Sequence, residues 1–312
     1  MINFTAELAN LVGWGPLRTD LPGGGWRFDR FEINVPKHKI EIVQRESALR
    51  SRSDLRGTLI ATSRVTVTNV AQYGEGESIV TDLSFLLSFA QSSLIVPFNF
   101  RFQGEGHSYS TSGFVGAWRP PFDCSLNAEL TNFVQRAWEP FRRLKDTRSL
   151  PSLIHLIAHA DNGNLIELKL LQVIVCLENV KAYWALSEGG KYGIQENSQG
   201  EFVQGGRRVG FERLLFHALR DAGMQGPNHA KWSRIKKVRN AIIHRGVIPP
   251  TSKSAQDVFG AGTSPDAVYG KMLEVIEDCH DVLREFLLRL LAYKGPFHPY
   301  SVPSGRGRPS QM

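Results

Sequence analysis

Residues 62–70 read TSRVTVTNV, a run in which polar and apolar side chains alternate. The same period of two recurs in residues 31–35, FEINV, and in residues 39–43, KIEIV. Successive side chains of an extended strand point to opposite faces, so this alternation is typical of half-buried antiparallel strands. Residues 27–118 are therefore predicted to form mainly β-structure.

Two features interrupt this strand pattern. Gly74, Gly76, Gly104 and Gly106 stand where hairpin turns would be needed, and we predict turns there. Residues 79–91 carry apolar side chains at helical spacing, which predicts a helix packed on the sheet. The strand-rich half contains no phosphate loop, no GxGxxG after a strand and no nucleophile elbow. By elimination, it is interpreted as a sensing or recognition module.

After Cys124 the period becomes helical. Pro140 is expected to kink or divide the first of these helices, because proline removes a backbone donor and clashes with the preceding turn. The final helix carries one apolar stripe, which fits a core or a dimer seam better than a chemical site. Residues 189–206 and 247–264 are rich in glycine or proline and are predicted to be loops. The predicted helices span residues 126–145, 152–159, 165–186, 209–222, 228–244 and 265–293.

These patterns predict an α+β fold, with an N-terminal antiparallel β-rich domain and a C-terminal all-α domain. We place the β-rich domain at residues 1–124 and the helical domain at residues 125–294. The tail, residues 295–312, is rich in proline, glycine, serine and arginine, which predicts disorder.

Composition limits the function classes. The chain has 312 residues, a formal net charge of +7 and a pI near 9.4, which favour an anionic partner. Cys124, Cys176 and Cys279 are widely spaced and odd in number, so neither a disulfide framework nor a thiolate metal site is indicated. The N-terminus lacks the basic region of a secretory signal, and no apolar run reaches the roughly 20 residues of a membrane span. A cytoplasmic protein without membrane contact, metal or cofactor is expected.

The positive charge is concentrated in residues 231–246, KWSRIKKVRNAIIHRG. No acidic residue occurs between Asp221 and Asp257. Such a cationic helix favours nucleic acid as the partner. The basic residues that we expect to contact RNA are Lys231, Arg234, Lys236, Lys237 and Arg245. For Lys236 and Lys237, a solvated helix face stays open as the alternative.

Arg239, Asn240 and His244 lie inside this basic segment and suit the cleavage of RNA without a metal. That reaction needs a base to deprotonate the 2′-hydroxyl and a cation to stabilise the phosphoryl oxygens. Histidine titrates near neutral pH, and arginine offers a charged fork that matches two phosphate oxygens. Asn240 and His244 share a helix face, whereas Arg239 lies roughly 140° from His244. Arg239 must therefore reach around the helix or act toward a neighbouring subunit.

The spacing of arginine and histidine is not specific by itself. Arg101 and His107, and Arg148 and His155, have similar spacings, but the first pair straddles glycines and the second crosses Pro151. A structural alternative also stays open at the motif, because cations near a helix C-terminus complement the helix dipole.

The string RNAIIHRG, at the end of a basic helix in a helical domain, resembles the signature of the HEPN superfamily. The strand-rich half makes the chain similar to ApeA-like HEPN proteins, with the HEPN part over residues 152–293. The resemblance implies a homodimer that cuts RNA without metal, leaving a 2′,3′-cyclic phosphate, and a toxin-like role in defence against phage. It assigns Arg239 to the scissile phosphate, His244 to general base or acid catalysis and Asn240 to orienting one of them. It also suggests Glu178 as an acidic residue that supports the motif, with a structural hydrogen-bond role as the alternative.

Two other function classes stay open. The helical domain could be a non-catalytic HEPN module that binds RNA, a nucleotide or a partner protein through its basic helix. The whole chain could also be an interaction scaffold that docks through its last helix. No sequence pattern identifies the molecule that the N-terminal domain would recognise as its trigger.

Overall fold

The computed structural model describes the chain except for residues 1, 12–14, 23, 46–60, 109–118, 125–127, 164, 226–228, 247, 302–309 and 312. The α+β prediction is confirmed: an N-terminal antiparallel sheet is followed by a helical region. The chain divides into two compact units. Unit 1 comprises Met1–Arg142, Leu291–His298 and Pro309–Met312, and unit 2 comprises Arg143–Leu290 and Pro299–Arg308. The boundary after residue 124 marks the change of sequence period and stays a prediction.

Among the described residues, seven strands form the sheet of unit 1, in the order β2-β3-β4-β5-β1-β6-β7. Every pairing between neighbours is antiparallel. Val65 and Val67 are fully buried whereas Thr66 is half-exposed, as the alternation predicts. The strands are β1 (Asn3–Ala9), β2 (Leu17–Asp20), β3 (Trp26–Val35), β4 (His38–Gln44), β5 (Ala61–Thr68), β6 (Val96–Phe102) and β7 (Glu105–His107).

Helix α1 (Tyr73–Gln91) packs on this sheet and begins earlier than the predicted residue 79. The prediction of hairpin turns at Gly74 and Gly76 is wrong, because both lie in α1. Gly76 is needed for close packing: a Cβ atom there would lie 2.3 Å from the Phe4 ring of β1. Gly104 does form the turn between β6 and β7, with a φ of +89°, whereas Gly106 lies within β7.

Helix α2 (Glu129–Leu144) runs through Pro140 as one element, so the predicted division at that proline is wrong. Ala137, Trp138 and Phe141 are buried along one face of α2. Their burial outweighs the loss of one backbone hydrogen bond at proline. The other helices are α3 (Leu150–Asn162), α4 (Ile166–Glu188), α5 (Phe211–Asp221), α6 (His229–Arg245), α7 (Lys253–Phe259) and α8 (Pro265–Leu290).

The two predicted loops both contain regular structure. A 3₁₀ helix (Gly189–Tyr192) and two short strands, β8 (Ile194–Glu196) and β9 (Phe202–Gln204), occupy much of residues 189–206, and a third strand, β10 (Arg207–Arg208), follows directly. Gly205 and Gly206, with φ of +56° and +74°, form the two-residue turn between β9 and β10. In residues 247–264, Ser252 Oγ accepts a hydrogen bond from the Ala255 N–H and caps α7.

In unit 2, α4 packs against α3, α5 and α8. The apolar stripe of α8, which includes Met272, Cys279 and Leu283, is buried, so the core interpretation of that stripe is confirmed. A buried ion pair between Arg284 and Asp161, 2.7 Å apart, connects α8 to α3. Among the described residues, no helix is both long and apolar enough to cross a bilayer.

Part of the predicted disordered tail, residues 302–309 and 312, lies outside the described residues. In the described part, β11 (Pro296–Phe297) pairs antiparallel with β12 (Ser310–Gln311). The Tyr300 ring stacks on His280 of α8 with a centroid separation of 4.4 Å. The tail therefore makes specific contacts at its first residues.

Candidate functional site

The residues of the predicted site lie on α6, whose two sides differ in polarity. Trp232, Ile235, Val238 and Ile242 are buried along one side of the helix. The basic and polar side chains therefore face outward. Gly246, with a φ of +76°, ends the helix and donates its N–H to the Ile242 carbonyl over 2.7 Å.

Arg239 is held in place by three contacts. Its Nε donates a hydrogen bond to Glu178 Oε1 over 2.5 Å, and its Nη1 donates to Asn240 Oδ1 over 3.0 Å. Its Cζ lies 5.2 Å from the centroid of the Phe211 ring. A guanidinium carries five N–H groups, and these two bonds use two of them. Within the described part of the chain, three N–H groups of Arg239 stay available to a ligand.

Glu178, on α4, contacts two cations. Besides accepting from Arg239, it forms an ion pair with Lys181 through its other oxygen. The Nζ atom of Lys181 lies 5.7 Å from the Phe211 ring centroid. Glu178 therefore connects α4 to α6, and it fixes Arg239 without cancelling the positive charge around it.

A cavity of about 310 Å³ opens beside Arg239. Four described segments of unit 2 line it: the β9–β10 hairpin, the first residues of α5, the outer side of α6 and Lys181 of α4. Four cationic side chains and a single carboxylate line it. Glu178, Glu201 and Glu212 form ion pairs with these cations, which leaves an excess of one positive charge and favours an anion. Its lining consists of Lys181, Gly200, Glu201, Phe202, Arg208, Val209, Gly210, Phe211, Leu214, Lys236, Arg239 and Asn240.

The hairpin side of this cavity was not identified from the sequence. Glu201 and Phe202 lie in a stretch that we predicted as a loop, and Arg208 follows it just before the helix predicted from residue 209. The available signal was Gly205-Gly206 between two short polar-apolar runs, which is a hairpin pattern. The glycine-rich composition obscured that signal.

His244 does not line the cavity. It is exposed in the last turn of α6, one turn beyond Asn240, and the described residues give it no hydrogen bond or ion pair. The structure therefore brings Arg239, Asn240 and Glu178 together within one chain but leaves His244 apart from them. The catalytic assignments of these residues stay predictions.

The basic segment contains no acidic residue, but carboxylates from other helices lie close to it in the structure. Lys231 pairs with Asp278 of α8 at 2.6 Å, and Arg234 pairs with both Asp278 and Glu274 at 2.7 Å. Lys236 pairs with Glu212 of α5 at 2.7 Å. Carboxylates from α5 and α8 therefore neutralise much of the positive charge of this segment.

Lys237 and Arg245 differ from these paired cations. Both side chains are exposed, and among the described residues neither forms an ion pair. They are the two predicted RNA contacts whose charge is not opposed by a neighbouring carboxylate. Long-range attraction of an anion depends on such net charge.

No family model, curated protein or solved structure matches this chain. The resemblance to HEPN proteins therefore depends on the motif at residues 239–244 and its position on a helix. Among the described residues, no cluster of histidine, cysteine and carboxylate side chains is arranged to hold a metal ion. The burial of Cys176 and Cys279 raises the pKa of both thiols well above the usual range, so these cysteines are structural.

Proposed function

We propose that this chain is a metal-independent endoribonuclease of the HEPN type. The observation that supports it best is the fixed guanidinium of Arg239 in the lining of a cavity that has more cationic than acidic side chains. A preorganised arginine stabilises charge that develops on phosphoryl oxygens without having to reorient during the reaction.

The proposed reaction needs no added reactant. The 2′-hydroxyl oxygen attacks the adjacent phosphorus as a base takes its proton, the bond to the 5′-oxygen breaks, and an acid protonates that oxygen. Arg239 contacts the phosphate, and Glu178 and Asn240 position Arg239. His244 supplies the base or the acid. The product is a 2′,3′-cyclic phosphate, and DNA is resistant because it lacks the attacking group.

A homodimer is part of this proposal. Arg239 and His244 lie roughly 140° apart around α6, and His244 is outside the cavity lining of its own chain. A second copy would place its own α6 beside the first and bring the two residue types to one cleft. The role in phage defence belongs to the proposal by resemblance alone, whereas the cytoplasmic location is inferred from composition and the sensing role of the N-terminal unit by elimination.

The second candidate function is non-catalytic binding of RNA or a nucleotide. The separation of His244 from the cavity favours it, because a cavity with cations and aromatic rings can bind an anion without any general base. In this case, replacing Arg239 weakens binding, and there is no cleavage to lose.

Incubation of purified protein with matched RNA and DNA oligonucleotides in excess chelator tests the proposal. Chelator-resistant cleavage of RNA alone, with cyclic phosphate ends, supports the nuclease. Cleavage of DNA or a requirement for Mg²⁺ contradicts it. Binding of RNA without any cleavage supports the second candidate.

A further inference from the structure

One part of the cavity lining is a hairpin whose polar groups are fixed. Asn197 Oδ1 accepts the backbone N–H of Glu201 over 2.9 Å, and the Glu201 carbonyl accepts the Asn197 N–H over 2.9 Å. The Phe202 carbonyl accepts the Val209 N–H over 2.8 Å. The backbone that carries Glu201 and Phe202 is therefore rigid.

Glu201 and Arg208 form a polar pair on this hairpin. Arg208 Nη1 lies 3.2 Å from Glu201 Oε1, and both side chains line the cavity. The Glu201 side chain is 36% exposed and the Arg208 side chain is 75% exposed, so a ligand can reach both. An ionised carboxylate only accepts hydrogen bonds, and a guanidinium only donates them. The pair thus offers two acceptor oxygens beside a donor.

Apolar and aromatic side chains form another part of the lining. Phe202, Phe211, Val209 and Leu214 line the cavity together with its polar groups. Aromatic side chains bind nucleobases by stacking, which is tolerant of base identity. A volume of about 310 Å³ is at the lower end of the range for ligand pockets and suits one nucleotide better than a longer ligand.

We propose that this cavity reads one unpaired guanine beside the scissile phosphate, with Glu201 and Arg208 as the specificity-determining residues. The inference rests on the proposed function and deepens it by naming the base. The guanine lies among the apolar walls, while its phosphate faces Arg239, Lys181 and Lys236.

Guanine is selected because of the order of polar groups along its Watson–Crick edge. The edge presents one acceptor, O6, followed by two donors, N1–H and the N2 amino group. Arg208 donates to O6, and the two oxygens of Glu201 accept from N1–H and N2. Uracil places its single donor between two acceptors, and adenine and cytosine each offer one amino group beside an acceptor. Only guanine satisfies both carboxylate oxygens.

The test uses oligomers that cannot be cut, so that it is independent of catalysis. The probes are 2′-O-methyl oligouridylates of equal length whose central base is guanine, hypoxanthine or adenine, with binding measured by fluorescence anisotropy. Hypoxanthine differs from guanine only by lacking the N2 amino group. Loss of one hydrogen bond to a charged acceptor is expected to weaken binding by about tenfold.

Glu201→Gln is the variant to compare with wild type, and Glu196→Gln is its control. Glu196 is an exposed glutamate on β8 that does not line the cavity. We expect Glu201→Gln to remove the preference for guanine over hypoxanthine, and Glu196→Gln to keep it. Circular dichroism of both variants verifies that the fold is intact.

The outcomes separate this inference from the proposed nuclease. A guanine preference that depends on Glu201, in a protein that cuts no RNA, supports the proposed guanine site and contradicts the proposed nuclease activity. Cleavage of RNA together with equal affinity for all three probes contradicts the guanine site but not the nuclease activity. Failure to bind any probe, or a preference that Glu201→Gln leaves intact, also contradicts the guanine site.

Discussion

Arg239 Nε and Glu178 Oε1 lie 2.5 Å apart, and this hydrogen bond joins α6 to α4 although the residues are 61 positions apart in the sequence. The side chains are about one-fifth exposed, 20% and 21%, so solvent screens the pair only in part. Together with Asn240 and Phe211, Glu178 selects one orientation of the guanidinium. That orientation is what the proposed chemistry requires, because preorganised charge stabilises a transition state best.

The first prediction concerns Glu178→Gln. The amide keeps the size of the side chain but loses its charge, so Arg239 becomes free to leave its position. We expect the rate constant for RNA cleavage to fall by about tenfold to hundredfold while RNA affinity changes little, since misplacement of a catalytic group affects the chemical step. Single-turnover kinetics measure both quantities. The control is Glu167→Gln, on the same helix but outside the cavity lining. An unchanged rate constant for RNA cleavage in Glu178→Gln would contradict the role of Glu178 in positioning Arg239.

The second prediction separates binding cations from structural ones. Lys237→Ala and Arg245→Ala should each weaken RNA binding uniformly across sequences and lower the slope of log affinity against log salt by about 1, if each side chain contacts one phosphate. Arg234→Ala should instead reduce the free energy of unfolding by about 1–3 kcal/mol, because Asp278 loses a charged partner. Salt titrations and urea unfolding of the three variants measure these effects. If only Arg234→Ala lowered the slope of log affinity against log salt, Arg234 would be the phosphate contact, and the roles given to Lys237 and Arg245 would be contradicted.

The sequence was sufficient for the fold class, because both periods are simple. Alternation over residues 62–70 and helical spacing in the apolar stripe of α8 each reflect burial of one face. Turn positions were less predictable. Gly74 and Gly76 resemble turn residues, but tertiary packing of α1 against Phe4 decides their conformation.

Some of the residues that line the cavity could be identified from the sequence, but their surroundings could not. Arg239 and Asn240 were identified because their motif is local in sequence. Glu178, 61 positions away from Arg239, was suggested only by the resemblance. The partners of Lys231, Arg234 and Lys236 lie on α5 and α8, and nothing local indicates that these carboxylates approach α6. The hairpin residues Glu201 and Arg208 contribute only through the three-dimensional arrangement of the cavity.

The third prediction tests the packing of α1 with a matched pair of glycine variants. Gly74→Ala should increase stability by up to about 1 kcal/mol, because its Cβ meets nothing within 4 Å and alanine reduces the entropy of the unfolded chain. Gly76→Ala should decrease stability by about 1–3 kcal/mol, because its Cβ would overlap the Phe4 ring. Denaturant unfolding of both variants measures the difference. Equal effects of the two substitutions would contradict the described contact.

The fourth prediction is a pH dependence of stability. Burial lowers the pKa of His217, and the nearby guanidinium groups of Arg220 and Arg213 lower it further. The unfolded chain therefore takes up this proton first as the pH falls, so stability is lost from about the ordinary histidine pKa of roughly 6.5 downward. Urea midpoints at pH 7.5 and pH 5.5 should show this loss, and His217→Gln should make it smaller. A midpoint that rises on acidification would contradict the sign.

The central claim is tested most directly by measuring cleavage and binding of one RNA oligonucleotide by wild type, Arg239→Ala and His244→Ala in excess chelator. The account predicts cleavage to a 2′,3′-cyclic phosphate by wild type and a loss of at least about a hundredfold in both variants, with His244→Ala still binding RNA. If all three folded proteins bind the RNA and leave it equally intact, the nuclease is contradicted.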